Sequence, residues 1–167
     1  MTRRFRDRKQ AGQALAQELR AYARRKDVVV FALPQGGVPV AFEVAQALRA
    51  PLDVCLVRKL GVPGREELAM GAVAPGGIRI LNWDLVESLG LTQAEIDTTL
   101  RREESELARR AQLYRGNAPR LTTEESVTIV VDDGLATGAT MRAAVASLRE
   151  QHAARVVVTV PVAARSA

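Results

Sequence analysis

The chain has 167 residues, of which 47% are hydrophobic and 26% are charged, as in a single compact soluble domain, so we expect one domain over residues 1–167. No stretch approaches the ~20 consecutive apolar residues of a membrane span, and no apolar signal region follows the basic N-terminus, so we expect a cytoplasmic protein. The net charge of +5 suggests a nucleic-acid partner, but mixing arginine with glutamate on predicted helices favours a solvated surface instead.

The first third of the chain predicts a helix and then a strand, a loop and a second helix. Apolar residues at helical spacing predict the first helix within residues 7–26, with Asp7 as its N-cap. Residues 28–33 are a continuous apolar run, which is typical of a central parallel strand buried on both faces. The glycine turn at residues 34–37 then leads into the second helix, which has Pro39 in its first turn.

The middle of the chain is less regular. Residues 52–57 predict another strand, with Arg58 and Lys59 at its carboxyl end. The next segment, residues 60–68, is rich in glycine, proline and charge and is predicted to be a mobile loop. Two short apolar runs on either side of Pro75-Gly76-Gly77 predict a hairpin.

The rest of the chain completes an alternating pattern. Thr92 and Glu95 form a capping-box pattern before a long helix that ends near Gly116. The last predicted elements are a buried strand, a helix and a fourth strand, over residues 127–131, 137–151 and 155–162. Alternating strands and helices predict an α/β fold, an open and mainly parallel sheet flanked by helices, with a small flexible hairpin insertion.

Ligands of open α/β sheets bind beyond the carboxyl ends of the strands, and the most informative loop follows the strand at residues 127–131. It reads Asp132-Asp133-Gly134-Leu135-Ala136-Thr137-Gly138-Ala139-Thr140. Its small residues let backbone amides approach an anion, and the start of the next helix adds unpaired N–H groups and a positive dipole end. The adjacent carboxylates repel each other unless cations or hydroxyl groups occupy the site, which suits a ribose diol with a hydrated Mg²⁺ nearby.

This loop resembles the signature with which type I phosphoribosyltransferases bind phosphoribosyl pyrophosphate (PRPP), and it is most similar to the adenine-specific branch. The resemblance extends to the layout of the whole chain. It implies that Asp132 and Asp133 hold the ribose hydroxyls, near a Mg²⁺ bound through PRPP. It also implies that the 5′-phosphate is bound by Ala136, Thr137, Gly138, Ala139 and Thr140.

Two other segments fit the same family, although either alone is more typical of an ordinary surface turn. Gln35, Gly36 and Gly37 resemble the pyrophosphate loop, but Gln35 stands where relatives often have arginine, so one cation is missing there. Arg58 and Lys59 resemble the start of the mobile catalytic loop, which brings cations to the departing pyrophosphate. The neighbouring Glu66 and Glu67 could bind a second metal, but a solvated role is favoured.

The resemblance implies a phosphoribosyltransferase that moves the phosphoribosyl group from PRPP to a nitrogenous acceptor, such as a nucleobase in nucleotide salvage. Ala136 stands where hypoxanthine-guanine enzymes have an acid, which argues against 6-oxopurine acceptors. The alternatives are a noncatalytic PRPP-binding regulator, linked to nucleic acid, and a degenerate structural domain or one half of a fused protein. We expect a homodimer.

The family's chains usually continue through another helix and strand after the position of Ala167. The sequence leaves three explanations open: a truncated C-terminus, a base-binding hood supplied by residues 60–125, or impaired activity. Three conspicuous residues are assigned no catalytic role. Cys55 is expected to be a buried thiol, His152 a surface residue, and Trp83 a packing residue of a short helix.

Overall fold

The computed structural model describes residues 5–164. The helices are α1 (Arg8–Glu18), α2 (Gly37–Leu48), α3 (Trp83–Ser88), α4 (Gln93–Arg115) and α5 (Ala139–Glu150), with a 3₁₀ turn over Arg20–Tyr22. The strands are β1 (Val28–Ala32), β2 (Leu52–Val54), β3 (Arg58–Val62), β4 (Arg65–Ala74), β5 (Ile78–Leu81), β6 (Val127–Val131) and β7 (Arg155–Thr159). Within this range, no helix is both long and apolar enough to cross a membrane.

The centre of the fold is a four-stranded parallel sheet in the order β2-β1-β6-β7, which confirms the predicted α/β class. The two middle strands run in register, from Val28 opposite Val127 to Ala32 opposite Val131. Every residue of β6 is buried, as expected for a strand covered on both faces. The carboxyl ends of β1 and β6 therefore lie side by side at one edge of the sheet.

Side chains of these strands alternate between two cores. One face, which includes Val30 and Ile129, packs against α1 and α2. The other face, which includes Phe31 and Val130, packs against α5 through Met141. This alternation follows from the period of two in a β-strand, and full burial of each such side chain contributes about 1.5–3 kcal/mol.

The predicted helix boundaries hold where the sequence carries a cap. The Asp7 side chain accepts a hydrogen bond from the backbone N–H of Gln10, as expected of an N-cap. Thr92 and Glu95 form the predicted capping box at the start of α4, which ends before Gly116. Helix α1 ends at Glu18, however, and a 3₁₀ turn replaces the rest of the predicted helix.

The inserted segment is larger and more regular than the predicted small hairpin. The predicted pairing around Pro75-Gly76-Gly77 is confirmed as β4 against β5. Residues 60–68, predicted to be a loop, instead belong mostly to β3 and β4, which pair antiparallel with a register shift at Gly61. Glycine allows the shift, because a Cβ atom on Gly61 would lie 2.9 Å from the backbone of Glu66.

This three-stranded sheet carries its own apolar cluster. Leu60 and Met70 of the sheet pack against Ile96 and Leu100 of α4. Trp83, in contrast, is 55% exposed, so the prediction that it packs the short helix α3 onto the body is wrong. The buried residue of that helix is Val86.

The structure also decides two strand boundaries and the predicted burial of Cys55 and exposure of His152. β2 ends at Val54 and β7 at Thr159, earlier than predicted. Pro161 has no backbone N–H with which to continue the latter ladder. Cys55 is buried, as predicted, and burial raises the pKa of its thiol to about 12. His152 is exposed, as predicted.

Candidate functional site

The turn after β1 and the loop after β6 meet at the edge of the sheet. A Cβ atom on Gly36 would overlap the carboxylate of Asp133. A Cβ atom on Gly37 would lie 2.6 Å from the carbonyl oxygen of Val131 and 2.9 Å from the Cα atom of Asp132. Gly37 therefore allows a close approach of two backbones, and Gly36 allows the Asp133 side chain to lie against the turn.

This contact joins two groups of residues that the sequence selected separately. The backbone of Gln35-Gly36-Gly37 lies against the acidic pair, and the peptide bond between Pro34 and Gln35 is cis. From the sequence alone, the two glycines are expected because an anion must approach their backbone amides closely. The structure adds a second reason, which is that any side chain here would displace the acidic pair.

Asp132 is half-buried at the end of β6. Burial is the main cause that raises the pKa of its carboxyl group, and the neighbouring charge of Asp133 adds to the rise. A hydrogen bond of 2.8 Å from the backbone N–H of Asp133 to Asp132 Oδ1 acts in the opposite direction. The carboxylate is thus held in a position where a cation or a hydroxyl donor would stabilise its charge.

Asp133 has a partner that the sequence did not reveal. Arg8, the first residue of α1, places Nη2 at 2.7 Å and Nε at 2.9 Å from Asp133 Oδ2. The two residues are 125 positions apart, and the Arg8 side chain is 58% exposed. The only local signal is the Asp7 cap, which fixes where α1 begins and so where Arg8 stands.

The loop over residues 136–140 leads into α5. Gly138 adopts a left-handed backbone with φ of +71°, which favours glycine. Gly138 has no side chain with which to cap the helix, but the Thr137 hydroxyl accepts a hydrogen bond of 3.4 Å from the Ala139 N–H. Arg142, which sequence reasoning did not select, donates a hydrogen bond of 3.0 Å from Nη1 to the carbonyl oxygen of Thr137. The loop therefore combines amides at the start of a helix, hydroxyl groups and a nearby cation, which suits an anion.

Arg58 and Lys59 begin β3 rather than ending β2, which corrects the predicted boundary. Arg58 donates from Nε at 2.8 Å and from Nη2 at 2.6 Å to Glu103 Oε2. Lys59 donates from Nζ at 3.3 Å to the carbonyl oxygen of Glu67. Glu103 lies on α4 with a side chain only 8% exposed.

A cavity of about 350 Å³ is lined both by the basic pair and by residues of the other loops. Its walls include Arg58 and Lys59, together with Pro34 of the glycine turn and Thr140 of the helix entry. The acidic pair does not line it. Asp133 lines a second, open cavity of about 520 Å³, formed by Asp133–Ala136 and Val162–Ala164.

A metal ion at this site would have few protein ligands. Within residues 5–164, no group of three or more histidine, cysteine, aspartate or glutamate side chains is arranged to hold a metal ion. The adjacent carboxylates of Asp132 and Asp133 nonetheless provide oxygen atoms, which Mg²⁺ prefers. They fit an ion whose other ligands come from a bound substrate or water.

Comparison with known proteins gives consistent results. A family model described as the phosphoribosyl transferase domain matches residues 4–167. Two proteins of Mycobacterium tuberculosis, from strains CDC 1551 and H37Rv, carry the provisional name phosphoribosyl transferase; each is 49% identical over 158 residues, which is 95% of this chain and 35% of the relative. This chain thus spans about a third of their length.

Among solved structures, the crystal structure of TT1426 from Thermus thermophilus superposes with a TM-score of 0.85 at 40% identity. The match covers 98% of this chain and 77% of that protein. The family match covers almost the whole chain. It therefore includes the parallel sheet, the glycine turn that lies against the acidic pair, and the start of α5. The chain belongs to the phosphoribosyl transferase domain family.

Proposed function

We propose that this protein transfers the 5-phosphoribosyl group from PRPP to a nitrogenous acceptor, and that the acceptor is a nucleobase. The observation that carries the proposal is the contact between Gly36 and the Asp133 carboxylate. It brings a turn suited to pyrophosphate against a carboxylate pair suited to a ribose diol, at the carboxyl ends of neighbouring parallel strands.

Each group of residues at this edge of the sheet has a proposed role in binding PRPP. Asp132 and Asp133 accept hydrogen bonds from the ribose hydroxyls. The backbone of residues 136–140 and the hydroxyls of Thr137 and Thr140 bind the 5′-phosphate, where each hydrogen bond to a charged group contributes about 1.5–3 kcal/mol. Gln35, Gly36 and Gly37 contact the pyrophosphate through their amides.

The reaction requires no nucleophile from the protein. The acceptor nitrogen forms a bond to the anomeric carbon while the bond from that carbon to the pyrophosphate oxygen breaks, and the electron pair leaves with pyrophosphate. Arg58 and Lys59 are proposed as the catalytic cations that neutralise the departing charge. The acidic pair holds the ribose in place through this step, so that positioning and electrostatics account for catalysis.

Mg²⁺ is the proposed cofactor, with Asp132 and Asp133 as the protein oxygens nearest to it. When bound through PRPP, the ion would add positive charge at the leaving group. The half-burial of Asp132 supports this assignment, since a desolvated carboxylate is stabilised by a neighbouring cation.

The proposal of a nucleobase acceptor rests on the second cavity, which Asp133 lines. Its walls include Leu135, Ala136 and Val162. These apolar groups suit the face of a nucleobase, and Ala136 offers no group for proton transfer to a 6-oxopurine. A homodimer and a cytoplasmic location stay predictions.

Titration calorimetry with PRPP and Mg²⁺ tests the proposal first. We expect binding by the wild type and strongly reduced binding by the double variant Asp132→Asn with Asp133→Asn. A screen of nucleobases for pyrophosphate release then tests turnover. Absence of PRPP binding by the wild type would overturn the proposal, whereas binding without turnover for any nucleobase, with salt-sensitive binding to nucleic acid, would favour a regulatory protein.

A further inference from the structure

The cavity of about 350 Å³ beside Arg58 and Lys59 has two further arginines in its wall, both from α4. Its charged residues are Arg58, Lys59, Arg102, Arg110, Glu66 and Glu103. Four cations therefore face two carboxylates. The lining residues include no aromatic side chain, so this cavity suits a compact anion better than a flat base.

Glu103 fixes the direction of two of these cations. Its Oε2 atom accepts from Arg58, and its Oε1 atom accepts from Arg102 Nε at 3.0 Å. The carboxylate is 8% exposed and lies between the two arginines, whose side chains are 29% exposed for Arg58 and 61% exposed for Arg102. Arg58 uses Nε and Nη2 for these bonds and Arg102 uses Nε, so both guanidinium groups keep further N–H donors with which to bind an anion.

Arg110 is oriented in a similar way by Glu106, which lies one turn earlier on α4 at 2.9 Å. The adjacent Arg109 binds the same carboxylate but does not line the cavity. Helix α4 thus presents one arginine to the cavity and the next to solvent.

The position of the cavity indicates which anion these arginines bind. Pro34 begins the turn proposed to contact pyrophosphate, and Thr140 closes the loop proposed to bind the 5′-phosphate. The turn itself contains the neutral Gln35. A diphosphate carries several negative charges, and neutralising them at the moment of departure requires cations from elsewhere.

We propose that Arg102 and Arg110 bind the diphosphate group of PRPP, and that Glu103 is a positioning residue that holds Arg102 and Arg58 for this purpose. The inference rests on the proposed function, since it assigns new residues to the leaving-group side of the same site. Helix α4 thereby supplies the positive charge that Gln35 does not.

The test compares three ligands by titration calorimetry, each with Mg²⁺: PRPP, inorganic pyrophosphate and ribose 5-phosphate. Arg102→Gln and Arg110→Gln should each lower the affinity for PRPP and for pyrophosphate about tenfold or more. Neither should change the affinity for ribose 5-phosphate, which lacks the diphosphate. The controls Arg101→Gln and Arg109→Gln remove the same charge at neighbouring positions of α4 and should leave all three affinities near those of the wild type.

The outcomes separate this inference from the proposed function. If the wild type does not bind PRPP, the proposed function fails. If the wild type binds PRPP and the two cavity variants bind it no more weakly than the controls, only the present inference fails. If PRPP does not displace bound pyrophosphate, the pyrophosphate occupies a separate effector site. This result would also overturn the present inference.

Glu103→Gln distinguishes positioning from a role in the fold alone. A positioning role predicts weaker binding of PRPP and pyrophosphate with unchanged binding of ribose 5-phosphate. An equal loss for all three ligands would contradict it. Glu103→Asp keeps the charge and should recover part of the lost pyrophosphate affinity, which a simple loss of packing would not.

Discussion

Arg8 and Asp133 form an ion pair with an N–O distance of 2.7 Å, which ties the start of α1 to the acidic pair after β6. Asp133 is proposed to bind a ribose hydroxyl, so Arg8 stands beside the place of a highly anionic substrate. The pair is largely exposed, and such pairs contribute about 0–1 kcal/mol to stability. Its main effect is therefore expected on ligand binding.

Arg8→Gln should weaken PRPP binding several-fold and leave the free energy of unfolding within about 1 kcal/mol of the wild type. The loss should shrink as salt is raised, because exposed charges are screened. Calorimetry at two salt concentrations and urea denaturation measure these effects. Lys9→Gln, with the same charge change one residue away, serves as the control, and an equal loss of affinity there would show that only net charge matters.

Gly37→Ala should disturb the site directly. The new Cβ atom would lie 2.6 Å from the carbonyl oxygen of Val131 and 2.9 Å from the Cα atom of Asp132, so the turn after β1 or the end of β6 must move. Overpacking of this kind typically costs about 1–3 kcal/mol. We expect a lower midpoint in urea denaturation and loss of PRPP binding. Gly134→Ala is the control for stability, because its Cβ atom would meet Val162 at an ordinary 3.4 Å; equal stability of the two variants would refute the close approach.

Asp132→Asn should stabilise the protein at neutral pH while weakening PRPP binding. Burial raises the pKa of this carboxyl above its usual value of 3.8, so the folded protein favours the protonated form more than the unfolded chain does. The associated stability is fully present below pH 3.8 and is lost as the pH rises through the raised pKa. The neutral asparagine avoids that loss.

Urea denaturation across pH 3–7 should therefore show the Asp132→Asn variant more stable at pH 7, with the difference closing as the pH falls toward 3. Asp27→Asn provides the opposite case, because the hydrogen bond from Arg25 lowers the pKa of Asp27. That variant should be less stable at pH 7 and approach the wild type in acid. A pH-independent difference for Asp132→Asn would contradict the assignment of its pKa.

Arg115→Gln should be the most damaging change to a salt bridge of α4. Arg115 binds Asp53 Oδ1 at 2.9 Å, and the two side chains are 10% and 9% exposed. Removing the arginine leaves a buried carboxylate without its cation, which typically costs about 3–5 kcal/mol. Urea denaturation at pH 7 measures the loss. Arg109→Gln, at an exposed pair on the same helix, should cost about 0–1 kcal/mol, and similar losses for both would mean that Asp53 is compensated by other groups.

The sequence predicted those parts of the fold whose signals are local. The β-branched run in β6, which includes only Thr128 as a polar residue, predicts a strand buried on both faces. Thr92 and Glu95 predict the start of α4, since a capping box involves residues only three positions apart. Residues 60–68 were misassigned because their pairing depends on β4 and on a register shift, and glycine, proline and charge obscured the strand pattern.

The sequence by itself therefore determined the α/β alternation and selected the glycine turn, the basic pair and the acidic loop as separate candidates. Only the tertiary structure decided that Gly36 lies against Asp133, that Arg8 reaches the same carboxylate, and that Glu103 holds Arg58 beside Arg102. The physical reason is distance along the chain. Caps and apolar runs form among near neighbours, whereas these contacts join residues up to 125 positions apart, which only the packing of the whole fold brings together.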